Sequence, residues 1–240
     1  AFYTHLMVDM ETMGNSPDAP IVSIGAVFFD PSTGNTGAEF YQVVSLESSM
    51  SFGMKPDAST IQWWLKQSSE ARSAILVDEA MGLRETLELL ADFIAENAAN
   101  SSHTVQLWGN GCSFYNVILR RAYALTETPF AVPFWNDRDV RTMVELGKSV
   151  GINPRFDIPF EGGMHNALSD ARHQVKYVST IWPDSAARPQ QSINRWQFYQ
   201  KCLSSQTEAS LYCMLLMKEC RDSSYLKMIP PHFYFMSTRH

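Results

Sequence analysis

Three things are scarce in this chain of 240 residues: cysteine, net positive charge and long apolar runs. The four cysteines show no C-x-x-C spacing, which argues against a zinc-ribbon site and favours a reduced protein of the cytoplasm. A formal net charge of -6 excludes attraction of nucleic acid by bulk charge, so such binding would need local patches or bound cations. No apolar run approaches the roughly 18 residues of a membrane helix, and no basic-then-apolar segment opens the chain, so we expect no membrane association.

Apolar patterning predicts an α/β fold with a mixed sheet. The first strands, joined by short turns, predict an antiparallel meander, and helices then alternate with a further strand. The predicted strands are residues 3–10, 20–29, 39–46 and 104–109. The predicted helices are residues 59–67, 80–97, a segment from about 114, residues 139–149 and residues 168–182.

A proline-rich stretch divides the chain. The last clear helical stripe stops at Pro183, which cannot continue a helix, and residues 183–191 have the composition of a linker. We therefore predict a main domain at 1–183 and, at 184–240, a linker with a helical C-terminal extension. The apolar part of that extension, 211–217, could dock on the main domain or form a dimer surface.

Two pairs of polar residues are the strongest functional signal. Asp9 and Glu11 lie two apart at the end of the first predicted strand, so both side chains point to one face. Carboxylates that close repel each other unless a cation lies between them, and hard oxygen ligands suit Mg²⁺ or Mn²⁺. His165 and Asp170 lie where the last helix of the domain begins. Taken alone, the first pair could be a solvated strand end, and His165 could be a capping histidine.

Together, the two pairs resemble the motifs of a nuclease family. D-x-E-T at 9–12 and H-N-A-x-x-D-A at 165–171 are similar to motifs of the DEDDh 3'-5' exonucleases, which have an RNase H-like fold. The segments IVSIGAVFFDPSTG, LWGNG, NDRDVRT and HNALSDARHQVKYVS most resemble the exonuclease-like N-terminal region of prophage exonuclease VIII and related small bacterial exoribonucleases. The resemblance covers residues from about 6 to 182.

This resemblance implies a metal site and a general base. Asp9, Glu11 and Asp170 would bind two Mg²⁺ or Mn²⁺ ions, and His165 would take a proton from the attacking water. The implied architecture is an RNase H-like mixed sheet flanked by helices, with a helical C-terminal appendage.

The resemblance also implies contacts with a substrate. The substrate-binding candidates are Thr12, Met13, Gly14 and Asn116. The expected partner is the 3' end of a single-stranded nucleic acid, and a homodimer is expected by analogy only.

One position departs from the family pattern. The second family motif ends in an aspartate, in a pattern like N-x-x-F-D, but here G-N-G-C-S-F-Y-N places Tyr115 there. A phenol stays neutral at pH 7 and is a poor Mg²⁺ ligand, so the second ion should bind more weakly. The residues that could compensate, if they reach the site, are Asp137, Asp139 and Glu161.

Aromatic and basic residues give weaker signals. Trp63 and Trp64 could stack on bases or pack in the core, and because adjacent helix residues point about 100° apart, at most one would face a groove. Four arginines could contact phosphates or could form solvated helix faces. They are Arg120, Arg121, Arg138 and Arg141.

The sequence therefore predicts a metal-dependent 3'-5' exonuclease that removes nucleoside monophosphates from single-stranded RNA or DNA ends. The alternative is a catalytically impaired module, with Tyr115 filling the metal pocket, that binds nucleic-acid ends or a protein. A third hypothesis is an interaction domain whose C-terminal tail is the functional part.

Overall fold

The computed structural model describes residues 1–163 and 165–182, and a five-stranded sheet lies at its centre. The strands are His5–Thr12 (β1), Ile21–Phe29 (β2), Thr36–Val43 (β3), Gln106–Gly109 (β4) and Asp137–Asp139 (β5). The first three form the predicted antiparallel meander, while β4 pairs parallel with β1 and β5 pairs parallel with β4. The order β3-β2-β1-β4-β5 makes β1 the central strand and confirms the predicted mixed sheet.

Helices connect the strands and cover the sheet. Those of the described residues are Leu46–Ser51 (α1), Ala58–Leu65 (α2), Ser69–Ile75 (α3), Leu83–Asn97 (α4), Tyr115–Leu125 (α5), Val140–Ser149 (α6), Pro154–Asp157 (α7) and Ala167–Ile181 (α8). Asp57 caps α2, and its side chain accepts hydrogen bonds from the backbone nitrogens of Ser59 and Thr60.

The two faces of β1 pack against different helices because successive strand residues point in opposite directions. Leu6, Val8 and Met10 lie in one core cluster with the apolar faces of α4 and α5. Met7 lies in a second cluster with Val175 and other residues of α8. Asp9 and Glu11 continue the line that starts at Met7, so they lie on the face that α8 covers.

Several predicted boundaries were wrong by a few residues. Asp9 and Glu11 lie inside β1 rather than at its end, because the strand runs on to Thr12. The third strand covers 36–43 rather than 39–46, since Ser45 caps α1 by accepting a hydrogen bond from the Ser48 nitrogen. Four short elements, namely α1, α3, β5 and α7, were not predicted.

The predicted linker and helical extension at 184–240 lie outside the described residues, so that division of the chain stays a prediction. Within the part of the chain that the structure describes, no helix is long and apolar enough to cross a membrane.

Candidate active site

Three carboxylates meet between β1 and α8. Asp9 and Glu11 come from β1 and Asp170 from the first turn of α8, and one oxygen atom of each lies within 4.8 Å of the others. Asp9 is only 3% exposed, and Glu11 and Asp170 are half-buried. These three residues, called the carboxylate cluster below, are the ones that the sequence pairs predicted would come together.

A glycine in β2 allows α8 to approach the sheet at this point. Gly25 is the antiparallel partner of Asp9, and a Cβ atom added to it would lie 2.3 Å from the Leu168 nitrogen and 2.4 Å from the Ala167 carbonyl carbon. The first turn of α8 therefore rests directly on the backbone of β2. Asp170 belongs to this same first turn, so the contact holds it beside Asp9.

Burial makes the cluster unfavourable for negative charge. It raises the pKa of Asp9 to about 8 and that of Asp170 to about 6. Burial, together with the charges of Asp9 and Asp170, raises the pKa of Glu11 to about 9. At pH 7, carboxyl groups with the pKa values of Asp9 and Glu11 stay protonated unless a cation compensates their charge.

Gln174 supports the cluster from the second turn of α8. Its amide nitrogen donates a 3.0 Å hydrogen bond to Oδ1 of Asp9, which partly opposes the effect of burial on the pKa of Asp9. The side-chain oxygen of Gln174 is buried and accepts no hydrogen bond from the described residues. Gln174 lies four residues after Asp170, so one helix face presents both side chains to β1.

His165 lies at the start of α8 in a left-handed conformation, with φ of 61°. Its ring packs edge-on against two tryptophans of α2, with centroid separations of 4.9 Å to Trp63 and 6.2 Å to Trp64. The compact group of metal-binding atoms in the described residues consists of the three carboxylates without His165. Its predicted role as general base therefore stays a prediction.

The two tryptophans differ in exposure, as adjacent residues of a helix do. Trp64 is 4% exposed, and its indole nitrogen donates a 3.0 Å hydrogen bond to the carbonyl oxygen of Thr12. Trp63 is 41% exposed beside His165. Trp64 is thus a core residue that anchors the end of β1, and Trp63 offers an aromatic surface beside His165.

Hydrogen bonds fix the last residue of β1 and the two residues that follow it. The Thr12 hydroxyl donates to the carbonyl oxygen of Gly14, and the Met13 nitrogen and oxygen bond to Pro20 and Asp57. Thr12, Met13 and Gly14 are all buried in this structure. They follow Glu11 directly, and their predicted contacts with a nucleotide stay predictions.

Asn116, near the start of α5, links this helix to β4. It is 2% exposed, and its amide nitrogen donates a 3.1 Å hydrogen bond to the carbonyl oxygen of Leu107 in β4. A Cβ atom on Gly109 would lie 2.3 Å from the Asn116 side-chain oxygen. These contacts give no support to the predicted substrate-binding role, which stays a prediction.

Tyr115 is the first residue of α5, and its side chain is half-buried. Burial raises the pKa of its phenol, and the charges of Asp9, Glu11 and Asp170 raise it further. The hydroxyl is therefore neutral at any physiological pH. The position where the family pattern has an acid thus carries no negative charge.

The three acids that could have compensated are engaged elsewhere. Asp137 pairs with Arg120 at 2.7 Å, and Glu161 pairs with Lys176 at the same distance. Asp139 caps α6 and accepts hydrogen bonds from the backbone nitrogens of Gly111 and Cys112. None of the three belongs to the cluster that the described residues form.

Sequence reasoning missed two residues of this site. Gly25 had a visible signal, since an isolated glycine inside a strand often marks a close backbone approach. Gln174 also had one, namely its spacing of four residues from Asp170 on a predicted helix.

Solved nuclease structures share this fold. The nuclease domain of 3'hExo, a DEDDh family member bound to rAMP, superposes with a TM-score of 0.53 at 14% identity, covering 77% of this chain and 94% of that one. Cell-death related nuclease 4 gives a TM-score of 0.53 at 13% identity, covering 75% of this chain and 64% of that one. The fold is therefore the RNase H-like fold of the DEDDh exonucleases, as predicted.

Sequence comparisons give the family. Residues 4–182 match the family model described as the 3'-5' exoribonuclease Rv2179c-like domain. An exodeoxyribonuclease of Enterobacteria phage T4 is 30% identical over 161 residues, covering 58% of this chain and 70% of the relative. The chain belongs to the family of 3'-5' exoribonuclease Rv2179c-like domains, and is accordingly a nuclease of the hydrolase class.

Proposed function

We propose that this chain is a divalent-metal-dependent 3'-5' exonuclease that releases nucleoside monophosphates from single-stranded RNA or DNA ends. The carboxylate cluster is the observation that carries the proposal. Three acids drawn from β1 and α8 are held within 4.8 Å, in surroundings that disfavour their charge. Such an arrangement is costly for folding unless it binds a cation.

The residues present fit Mg²⁺ or Mn²⁺. All three ligands offer carboxylate oxygens, which hard cations prefer, and Gln174 fixes the orientation of Asp9. A bound cation of this kind lowers the pKa of a water molecule and neutralises charge on a phosphate. Asp9, Glu11 and Asp170 would hold the cation, and the neutral Tyr115 would weaken any second site.

His165 would take the proton from the attacking water. It lies at the end of α8 that carries Asp170, and its ring packs against the rings of Trp63 and Trp64. The exposed face of Trp63 would stack on the terminal base, since stacking on an aromatic ring tolerates any base. The segment 12–14, next to Glu11, would lie along the terminal nucleotide.

Tyr115 favours a second candidate, which is an impaired nuclease that binds nucleic-acid ends or a protein. The phenol lies where the family pattern has an acid, and burial together with the neighbouring carboxylates keeps it neutral. In this case the chain would retain the fold and a partial metal site with little turnover. The homodimer and the cytoplasmic location stay predictions in either case.

Mononucleotide release tests both candidates. Single-stranded RNA and DNA, each labelled at the 3' end or at the 5' end, would be incubated with Mn²⁺ and wild type, Asp9→Asn or Tyr115→Asp. Immediate release of labelled mononucleotide from the 3' label only, abolished in Asp9→Asn, would support the exonuclease. Activity in Tyr115→Asp alone would support the impaired nuclease, and silence in both would overturn the enzymatic proposal. Comparing the rates on RNA and on DNA decides which nucleic acid is the substrate. The names of the similar proteins do not agree on this, because the family model is described as an exoribonuclease and the phage relative as an exodeoxyribonuclease.

A further inference from the structure

The backbone of any nucleic-acid strand that approaches the cluster is negative, so a cationic side chain at the rim would assist binding. Four arginines from the α5–α6 region are candidates, and the structure separates them by their existing contacts. All three guanidinium nitrogens of Arg120 already donate hydrogen bonds. It makes two hydrogen bonds to Asp137 and two more to the carbonyl oxygens of Val132 and Pro133.

Two further arginines also have other roles. Arg121 forms an ion pair of 2.7 Å with Asp18. Arg138 donates to the carbonyl oxygens of Trp135 and Asp137, and its charge acts on His5 at the start of β1, the opposite end of that strand from Glu11. Both side chains therefore already have partners among the described residues.

Arg141 is different. It lies in the first turn of α6, its side chain is exposed, and no acid among residues 1–163 and 165–182 forms an ion pair with it. The one hydrogen bond it makes to the described residues runs from Nε to the carbonyl oxygen of Asn110, at 3.2 Å. The two terminal nitrogens of the guanidinium are therefore left to bind a partner.

Arg141 also lies beside the loop that precedes Tyr115. Its side chain follows the loop between β4 and α5, where a Cβ atom on Gly111 would lie 3.4 Å from Nε. This loop leads directly into Tyr115, and the charge of Arg141 lowers the pKa of that phenol while the carboxylate cluster raises it. The Tyr115 nitrogen donates a 3.0 Å hydrogen bond to the carbonyl oxygen of Gly111, so Arg141 packs beside the residue that pairs with the start of α5.

We propose that Arg141 binds a backbone phosphate of the single strand at the rim of the carboxylate cluster, beside Tyr115. The terminal nitrogens of a guanidinium match two oxygens of one phosphate, and the bond from Nε to Asn110 fixes the plane of the group beforehand. The positive charge would stand near the position where the family pattern has an acid and this chain has none. This proposal rests on the proposed function, because it requires a nucleic-acid strand at the site.

Binding measured without turnover tests the role of Arg141. A 5'-fluorescein single-stranded oligonucleotide would be titrated with Arg141→Ala by fluorescence anisotropy, in Ca²⁺ and over a series of salt concentrations. We expect binding about tenfold weaker than wild type, since one charged contact is lost. The slope of log K against log salt should become shallower by about 0.7, the value for one phosphate contact on a single strand.

Matched variants separate this contact from general effects. Lys148→Ala removes a positive charge from the same helix about 10 Å further along its axis, and should leave the slope unchanged. Arg141→Gln keeps a donor for Asn110 without the charge, so it should fold like wild type and show the same loss of slope as the alanine variant. An Arg141→Ala slope equal to that of Lys148→Ala, with wild type binding normally, would overturn this inference alone. Failure of wild type to bind or cleave any strand would overturn the proposed function as well.

Discussion

Gln174 and Asp9 are joined by a 3.0 Å hydrogen bond that runs from the last helix of the domain to the central strand. The amide nitrogen donates, so the bond stabilises the ionised form of a carboxyl that burial otherwise keeps protonated. Metal binding needs that ionised form. The position of α8, which carries Gln174, therefore affects how tightly Asp9 can bind a cation.

Removing this donor should weaken metal binding in a way that pH can rescue. Gln174→Met keeps the buried volume but leaves Asp9 without its partner, so the pKa of Asp9 should rise further. We expect Mn²⁺ affinity at pH 7 to fall by about 10-fold or more, with the difference shrinking as the pH rises. Isothermal titration across pH measures it. Tyr177→Phe, which removes a hydroxyl on the same helix that bonds to His173, should not change the affinity.

The metal-free protein should become less stable as the pH rises. In the unfolded chain, Asp and Glu titrate near their ordinary pKa values, whereas the folded values of Asp9, Glu11 and Asp170 are raised to about 8, 9 and 6. Between these limits the folded state binds more protons than the unfolded state, so the free energy of unfolding falls with increasing pH and levels off above about pH 9. A loss of about 2 kcal/mol would lower Tm by about 4 to 8 °C.

Thermal melts in EDTA check this dependence. Asp9→Asn keeps an oxygen that accepts from Gln174 but cannot ionise, so its melting curve should depend less on pH. Adding Mn²⁺ should restore the wild-type Tm most strongly at high pH, where protons no longer compete for the carboxylates. A metal-free Tm that rises from pH 6 to pH 9 would contradict the raised pKa values.

Gly25→Ala should damage both the fold and the metal site. The new methyl group would lie 2.3 Å from the backbone of α8, which cannot move without shifting the start of that helix. We expect a loss of about 3 kcal/mol and a clear loss of Mn²⁺ affinity, since Asp170 shares that first turn. Gly82→Ala is the control, because its methyl group would meet only the movable end of the Glu85 side chain on the other face of the sheet. Differential scanning calorimetry and metal titration measure the two effects.

The site was predictable where it depended on local periodicity and not where it depended on packing between distant segments. The alternation of a strand already requires Asp9 and Glu11 to share a face, and the structure agrees. Asp170 lies beside them because α8 rests on Gly25. These two segments are more than 140 residues apart, so the spacing of residues in the sequence could not predict their contact. The short elements β5 and α7, of three and four residues, were missed because a segment of that length shows no period.

Tyr115 should limit the number of cations that the site holds. Burial keeps its phenol neutral, and the carboxylate cluster of the described residues consists of Asp9, Glu11 and Asp170, so wild type should bind one Mn²⁺ tightly. Tyr115→Asp adds a fourth carboxylate at the same position and should bind two, with mononucleotide release rising by orders of magnitude if a second cation limits the rate. Titration calorimetry gives the stoichiometry. Tyr115→Phe removes only the hydroxyl and should behave like wild type. If wild type or Tyr115→Phe bound a second Mn²⁺ tightly, an acid at position 115 would not be needed for the second cation.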